Sequence, residues 1–338
     1  MEKMNNNPTV SVVMSVYNAE LYLEDAIESI LNQTYKDFEF IIINDGSTDK
    51  SLEIIEKCRR QDKRIVLITR ENKGLVASLN EGIRISKGEY IARMDADDMS
   101  LPTRLEEQVK FMDSNQLDIC GTYVQLFNKS KDLKVWEYPQ IDNDIKFTLM
   151  SFSTFAHPSV VIRKEVFKSL KYEDYNYAED YKLWTDIAKS DFKMGNLCRV
   201  LLRYRWHDEQ LSKEYSSEQE NLTKLISKEY VDSVNIESEG SLNKMTCAID
   251  IIKYLKLISL KNNISHKYVI LSINFRLKNL VSFNIFEYFV YLSKMSEFNL
   301  SYKDKLLMLV SSILPKDKNS LIYKASKLMK SKFLKYNR

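Results

Sequence analysis

Apolar residues along the first hundred positions alternate between two spacings. Val10-Ser11-Val12-Val13-Met14-Ser15-Val16 is a Val-rich run of strand length. Leu23, Ala26, Ile27, Ile30 and Leu31 then recur every three or four residues, which is the spacing of one helix face. Phe38-Glu39-Phe40-Ile41-Ile42-Ile43 is a second strand, ended by Asn44-Asp45-Gly46-Ser47, good turn chemistry. A helix carrying Leu52, Ile55 and Cys58, a strand at Ile65-Val66-Leu67-Ile68, a helix carrying Leu75, Val76, Leu79 and Ile83, and a strand over Tyr90–Met94 follow in turn. Continuously apolar strands alternating with amphipathic helices predict an α/β fold with a mostly parallel sheet covered on both faces. The first strand–helix turn is Tyr17-Asn18-Ala19. It holds no G-x-G-x-x-G, which argues against NAD or FAD.

After Asp98 the pattern loosens. Pro102 opens a helix with Leu105, Val109 and Met112, and Leu117 to Phe127 reads as a strand broken at Gly121. Residues 128–156 are mixed and polar, as loops would be, before a short strand at Ser159-Val160-Val161-Ile162. A helix is predicted after Tyr177, with Tyr181, Trp184, Ile187 and Ala188 on one face, and from about 215 the chain reads as helices.

The candidate chemistry begins at Asp95-Ala96-Asp97-Asp98, directly after the fourth strand. Ligands of open α/β sheets bind beyond the carboxyl ends of strands. Three carboxylates crowded there repel one another unless a cation joins them. Mg2+ and similar hard ions take carboxylate oxygens and share them with substrate phosphates. The cluster therefore points to a metal–diphosphate site, with Asp95 and Asp97 as ligands. Asp98 is open between a third ligand and a cap for the helix near Pro102.

Composition narrows the class. The chain has 338 residues, 44% hydrophobic and 29% charged, as a soluble globular protein does. Its four cysteines are far apart, with no Cys-x-x-Cys pair, so neither a disulfide framework nor a zinc site is expected and a reducing cytoplasm fits. The N-terminus is polar, without the apolar core of a signal peptide, and no uncharged apolar run reaches membrane-span length. The net charge of +3 hides an asymmetry: residues 241–338 hold 18 Lys and Arg against 5 Asp and Glu. Within that tail, Leu321, Ile322, Ala325, Leu328, Met329 and Phe333 fall at helical spacing among Lys324, Lys327, Lys330, Lys332 and Lys335. A basic amphipathic helix suits an anionic membrane surface. An ordinary helix packed on the body is the alternative, and no nucleic-acid-binding module is present to make nucleic acid the partner.

Several segments also resemble one family in order and spacing. Pro8 to Asn18 resembles the opening strand of family 2 glycosyltransferases, and Ser29-Ile30-Leu31-Asn32-Gln33-Thr34-Tyr35 the segment before their second strand. Asn44-Asp45-Gly46-Ser47-Thr48-Asp49 is similar to their nucleotide-base loop, and Asn72-Lys73-Gly74 with Asn80-Glu81-Gly82 to their third segment. Met94-Asp95-Ala96-Asp97-Asp98 resembles their metal motif, while Ala178-Glu179-Asp180-Tyr181 and Tyr204-Arg205-Trp206-His207 resemble their acceptor-side motifs. The resemblance covers roughly residues 8–215. It implies a GT-A nucleotide-diphospho-sugar transferase domain over 1–215, followed by a helical basic region over 216–338. It also implies inverting, Mn2+- or Mg2+-dependent sugar transfer from a nucleotide-diphosphate sugar, with a UDP-sugar as the expected donor, to a saccharide or lipid-linked acceptor.

Residue by residue, the resemblance makes Asp180 the base and Glu179 a supporting or acceptor-binding group; acids at a helix N-terminus that merely suit its dipole are the alternative. Trp184 is placed at the acceptor because sugars stack on aromatic rings. Asp45, at a strand end, can accept a hydrogen bond from an N–H of the base, as uracil N3 offers, or can be a turn aspartate. Tyr17, Asn72, Lys73, Asn80, Arg93 and Asp95 complete the nucleotide site, Lys73 and Arg93 by offsetting phosphate charge. His207 completes the metal shell or contacts the diphosphate, as Arg205 also can. His157 is given no chemistry. The expected protein is a cytoplasmic glycosyltransferase, peripheral at the inner membrane face, in bacterial surface polysaccharide or oligosaccharide synthesis. A non-catalytic nucleotide-sugar-binding relative is the alternative, disfavoured because Asp45, Asp95, Asp97, Asp180 and His207 are all intact.

Overall fold

The computed structural model describes residues 7–234 apart from 130, 176 and 208–215, together with 264, 265, 268 and 272. Two compact units divide after Val234. The predicted amphipathic helix of the basic tail lies outside the described residues.

The first unit is built on one sheet. β1 (Val10–Val16) lies between β2 (Phe38–Asp45) and β4 (Tyr90–Met94), parallel to both, and β3 (Ile65–Arg70) lies parallel on the outer side of β2. β1, β2 and β4 are buried almost throughout, which is why their sequences lack alternation. Val10, Val12, Met14 and Val16 share a core with Ala26, Ile27 and Ile30 of α1 (Leu23–Leu31), Ile55 of α2 (Ser51–Gln61), and Leu105, Val109 and Met112 of α4 (Arg104–Asn115). Val13 points to the other face. There Gly82 of α3 (Leu75–Ile85) comes so close that an added Cβ would lie 2.5 Å from a Val13 methyl. Only glycine permits that approach.

Beyond β4 the parallel order ends. β8 (Val161–Arg163) is antiparallel to both β4 and β6 (Ile119–Asn128), and β9 (Met194–Arg205) runs parallel to β6. β5 (Met99–Ser100) is antiparallel to β9, and β7 (Lys131–Trp136) forms a hairpin on β6. The mostly parallel sheet is thus a parallel half joined to a mixed half. The break expected at Gly121 is absent: β6 runs through it, because a side chain there would collide with Asn196 and Phe155. The expected loop over 128–156 contains β7 and α5 (Asp142–Thr148). β7 shows no alternation because its first five residues are all exposed, and α5 is too short to show a period.

The boundary expected at 215 falls later. α6 (Glu179–Ala188) is followed, after β9, by α7 (Ser216–Ser233), which belongs to the first unit. Ser227 Oγ donates to the Met150 carbonyl at 2.6 Å, and Gln219 Nε2 to that of Tyr177 at 2.8 Å. Among the described residues no helix is long and apolar enough to cross a membrane.

Gln108 of α4 ties the two halves together. Fully buried, it donates to the carbonyls of Cys120 and Ser159, both at 2.9 Å, and accepts from Arg104 Nε at 3.0 Å. Gln108→Leu strands two buried carbonyls and one guanidinium N–H. It is expected to cost roughly 2–4 kcal/mol, read as a lower denaturant midpoint at unchanged slope.

Candidate active site

β1, β2 and β4 end at the same edge of the sheet, and the loops that leave them build the site. Asp95, Asp97 and Asp98 each place one carboxylate oxygen within a 4.8 Å cluster. Asp98 is buried. One of its oxygens accepts the Arg205 backbone N–H at 2.8 Å, and the other has no hydrogen-bond partner among the described residues. Burial raises its proton affinity well above the usual carboxylate range, and the charges of Asp97 and Asp95 add to this. Asp95 is also pushed up by burial, against the opposing pull of the Arg93 guanidinium paired with it. An orphaned buried carboxylate oxygen among three clustered carboxylates fits a divalent cation as the missing partner. The helix-cap alternative for Asp98 does not hold: α4 begins after Thr103 without a side-chain cap.

β9 brings the last pieces from far along the chain. Its pairing with β5 lays Arg203 beside Met99, so the strand exits against the acidic loop. Arg205 Nε donates to the Asp97 carbonyl at 2.6 Å, and His207 Nε2 lies 3.0 Å from the Asp97 carboxylate. The His207 ring packs against Tyr22 with centroids 5.3 Å apart, and the Arg205 guanidinium sits 4.2 Å above the same Tyr22 ring. Asp97 and His207, both expected at the metal, are therefore neighbours.

The second acidic pair opens α6. Glu179 is buried and Asp180 half-buried, and the Asp180 carboxylate accepts the Tyr181 N–H at 2.6 Å. Burial lifts Asp180 to about 6. Burial and then the Asp180 charge lift Glu179 to about 7. Behind them lies a buried polar chain: His157 Nδ1 is 3.8 Å from Glu179, and His157 Nε2 is 2.8 Å from the Tyr172 hydroxyl. Burial and the nearby Arg93 charge depress His157 well below its usual range, so the ring is neutral. His157, given no role from sequence, thus backs the acidic pair. Its position in His157-Pro158-Ser159, just before a strand, was the available signal.

Several expected roles change. Trp184 is fully buried, packed against Phe155 at 5.4 Å and His157 at 5.9 Å, so it cannot stack on a sugar. Its helical face points into the core. Asn80 is turned from the cleft as well: its amide donates to the Tyr172 carbonyl at 2.9 Å and accepts the Tyr172 N–H at 3.1 Å. Asp45 is buried and engaged by the Arg70 guanidinium and by the N–H groups of Lys73 and Gly74 at 2.8 and 2.9 Å. In this structure it organises the turn of Asn72 and Lys73 instead of offering a free oxygen to a base. Tyr17 is 54% exposed at the end of β1, and Asn72 and Lys73 are exposed. Arg93 is buried and paired with Asp95, close enough to both acidic groups for its charge to act on each.

The comparisons with known proteins agree with this geometry. The family model for glycosyl transferase family 2 matches residues 11–171. An uncharacterized glycosyltransferase of Haemophilus influenzae is 34% identical over 271 residues, 76% of this chain and 81% of the relative. The O-antigen biosynthesis glycosyltransferase WbnJ of Escherichia coli is 37% identical over 209 residues, 60% of this chain and 82% of that protein. Among solved structures, Staphylococcus aureus TarS 1-349 in complex with UDP-GlcNAc aligns with a TM-score of 0.52 at 16% identity, covering 90% of this chain and 80% of that one. The mannosyltransferase PcManGT of Pyrobaculum calidifontis, in complex with GDP-Man and Mn2+, aligns at 0.51 and 14% identity, covering 96% and 87%. Fold and site define a glycosyltransferase of the GT-A class. The chain belongs to glycosyltransferase family 2.

If Trp184 is core, Trp184→Ala should destabilise the unit by about 3–5 kcal/mol. Trp184→Phe should leave the Michaelis constant for the acceptor within about twofold, as a core residue's conservative replacement would. Steady-state kinetics on the two variants check this.

Proposed function

We propose that this chain is an inverting, divalent-metal-dependent glycosyltransferase that uses a nucleotide-diphosphate sugar, in the first instance a UDP-sugar. Its acceptor is a saccharide or a lipid-linked saccharide in the synthesis of a bacterial surface polysaccharide. The observation that carries the reading is the pairing of two acidic groups at one sheet edge. One is a three-carboxylate cluster with an orphaned oxygen; the other is a half-buried carboxylate of raised proton affinity, and buried Arg93 lies close to both. The named roles of WbnJ in O-antigen biosynthesis, and the nucleotide sugars named for the TarS and PcManGT complexes, support it.

In this reading Asp95, Asp97 and Asp98 hold the cation, with His207 beside Asp97. When bound, the cation would neutralise the charge that develops on the departing diphosphate. Asp180 takes the proton of the acceptor hydroxyl as its oxygen attacks the anomeric carbon. The bond from that carbon to the diphosphate oxygen breaks, and the diphosphate leaves with the electron pair. Near neutral pH Glu179 is partly protonated, so Asp180 carries the working negative charge without a second full charge beside it. Tyr17 and Lys73, exposed beyond β1 and β3, would meet the base and the phosphates. The basic tail would hold the enzyme at the cytoplasmic face of an anionic membrane.

Asp180→Asn is expected to lower turnover on the order of 10²–10⁴-fold with donor affinity little changed. Rapid-mixing kinetics together with UDP titration measure both. The wild-type rate should rise with pH through about 6 to 7, because a base works only once its proton has left, and should level off above. A profile flat across that interval would remove Asp180 from the role. Calorimetric titration tests the metal: UDP should bind the wild type more tightly with Mn2+ than without, and Asp97→Asn should lose that difference.

A further inference from the structure

We infer that Trp136, with Tyr204 and Trp206, forms a platform on which a pyranose ring of the acceptor stacks; this rests on the transferase reading above. Trp184 and Tyr181 are lost to the core, so neither offers a ring to a sugar beside the acidic pair of α6. Half-exposed rings cluster instead on β7 and at the end of β9. β7 is an edge strand whose residues Lys131 to Val135 are all exposed, and Trp136 is the first to turn inward. Its ring lies 5.6 Å from Tyr204, and 6.2 Å from Trp206 in an edge-on contact. All three residues are half-buried; Trp136 and Tyr204 pack against the core on one side and remain partly exposed.

The platform adjoins the acidic loop: Tyr204 and Trp206 flank Arg205, whose backbone N–H donates to the Asp98 carboxylate at 2.8 Å and whose Nε donates to the Asp97 carbonyl at 2.6 Å. Tyr204 is near enough to Asp98, Asp95 and Asp97 for their charges to act on its phenol, and Trp206 directly precedes His207. Two residues beyond Trp136, the phenol of Tyr138 lies within reach of the Asp180 charge. A sugar ring set on Trp136 would therefore lie beside the acidic loop, where the diphosphate is proposed to depart. Pyranose rings present an apolar C–H face to aromatic rings and hydroxyls at their rim. A half-exposed indole suits the apolar face of such a ring.

The test uses the full-length chain with UDP-sugar donors and a panel of octyl β-glycosides of glucose, galactose and N-acetylglucosamine as acceptor probes. Trp136→Ala should raise the acceptor KM roughly tenfold while moving the donor KM much less, and Trp136→Phe should recover most of the loss. Leu133→Ala, on the exposed stretch of the same strand, is the control and should match the wild type. Saturation-transfer NMR on the wild type, irradiating aromatic protons, should mark one face of one pyranose ring of the probe, and this readout does not depend on a variant folding. Equal changes in donor and acceptor KM, or no transfer from aromatic protons to a probe that is turned over, would overturn the platform and leave the transferase reading standing. A wild type that neither transfers nor hydrolyses any UDP-sugar would overturn both.

Discussion

Everything at the working edge of this sheet depends on a buried guanidinium. Arg93 sits on the central strand β4, two residues before Asp95, and pairs with it inside the protein. Five carboxylates gather nearby, on the loop after β4 and at the start of α6. Without a fixed positive charge among them their mutual repulsion, strengthened by low local dielectric, would oppose closing the fold. Arg93 offsets part of that repulsion permanently and from within. It leaves part uncompensated at Asp98, where an oxygen lacks a partner. That imbalance keeps the edge, among the described residues, from being a closed ion-pair network.

The backbone holding Arg93 is itself held from both sides. Its N–H donates to the Val160 carbonyl at 2.9 Å, and its carbonyl accepts from Arg104 at 2.8 Å. Arg104 is in turn fixed by Gln108 and Ser100. The parallel and mixed halves of the sheet therefore meet through polar groups that are buried and paired, where an apolar contact could slide. Directional bonds hold the register between the acidic loop, β8 and α4, and with it the spacing of the two acidic groups.

The parallel half was legible in the sequence because β1, β2 and β4 are buried on both faces and its helices carry one apolar stripe. Val10 to Met94 shows both signatures without interruption. The mixed half was not, for reasons visible in particular residues. β9 shifts register against β6 around Tyr123, which breaks the period that a reader would follow. β7 has no buried side until Trp136. At the site, the residue types were legible at Asp95, Asp97, Asp180 and His207, because charge in an apolar setting is conspicuous. Their partners were not. Nothing in the local sequence of Asp45 announces that Arg70 will reach it, and nothing around Trp184 separates a ring that faces a sugar from one that faces Phe155. Both are decided by tertiary packing.

Asp97 and His207 are 110 residues apart, and so far along the chain that one leaves the ribosome well before the other. The parallel half, through β4, is rich in neighbouring strand–helix contacts and can assemble as it emerges. β9 must then cross back to pair with β6 and β5 before Arg205 reaches Asp98. Contacts of such separation form late, because the loop they close must be ordered first. On this ordering the parallel half precedes the closure of its acidic loop. The bonds from Arg205 and His207 to the acidic loop form only once β9 has paired, which ties the shape of the candidate site to the completion of the mixed half of the sheet.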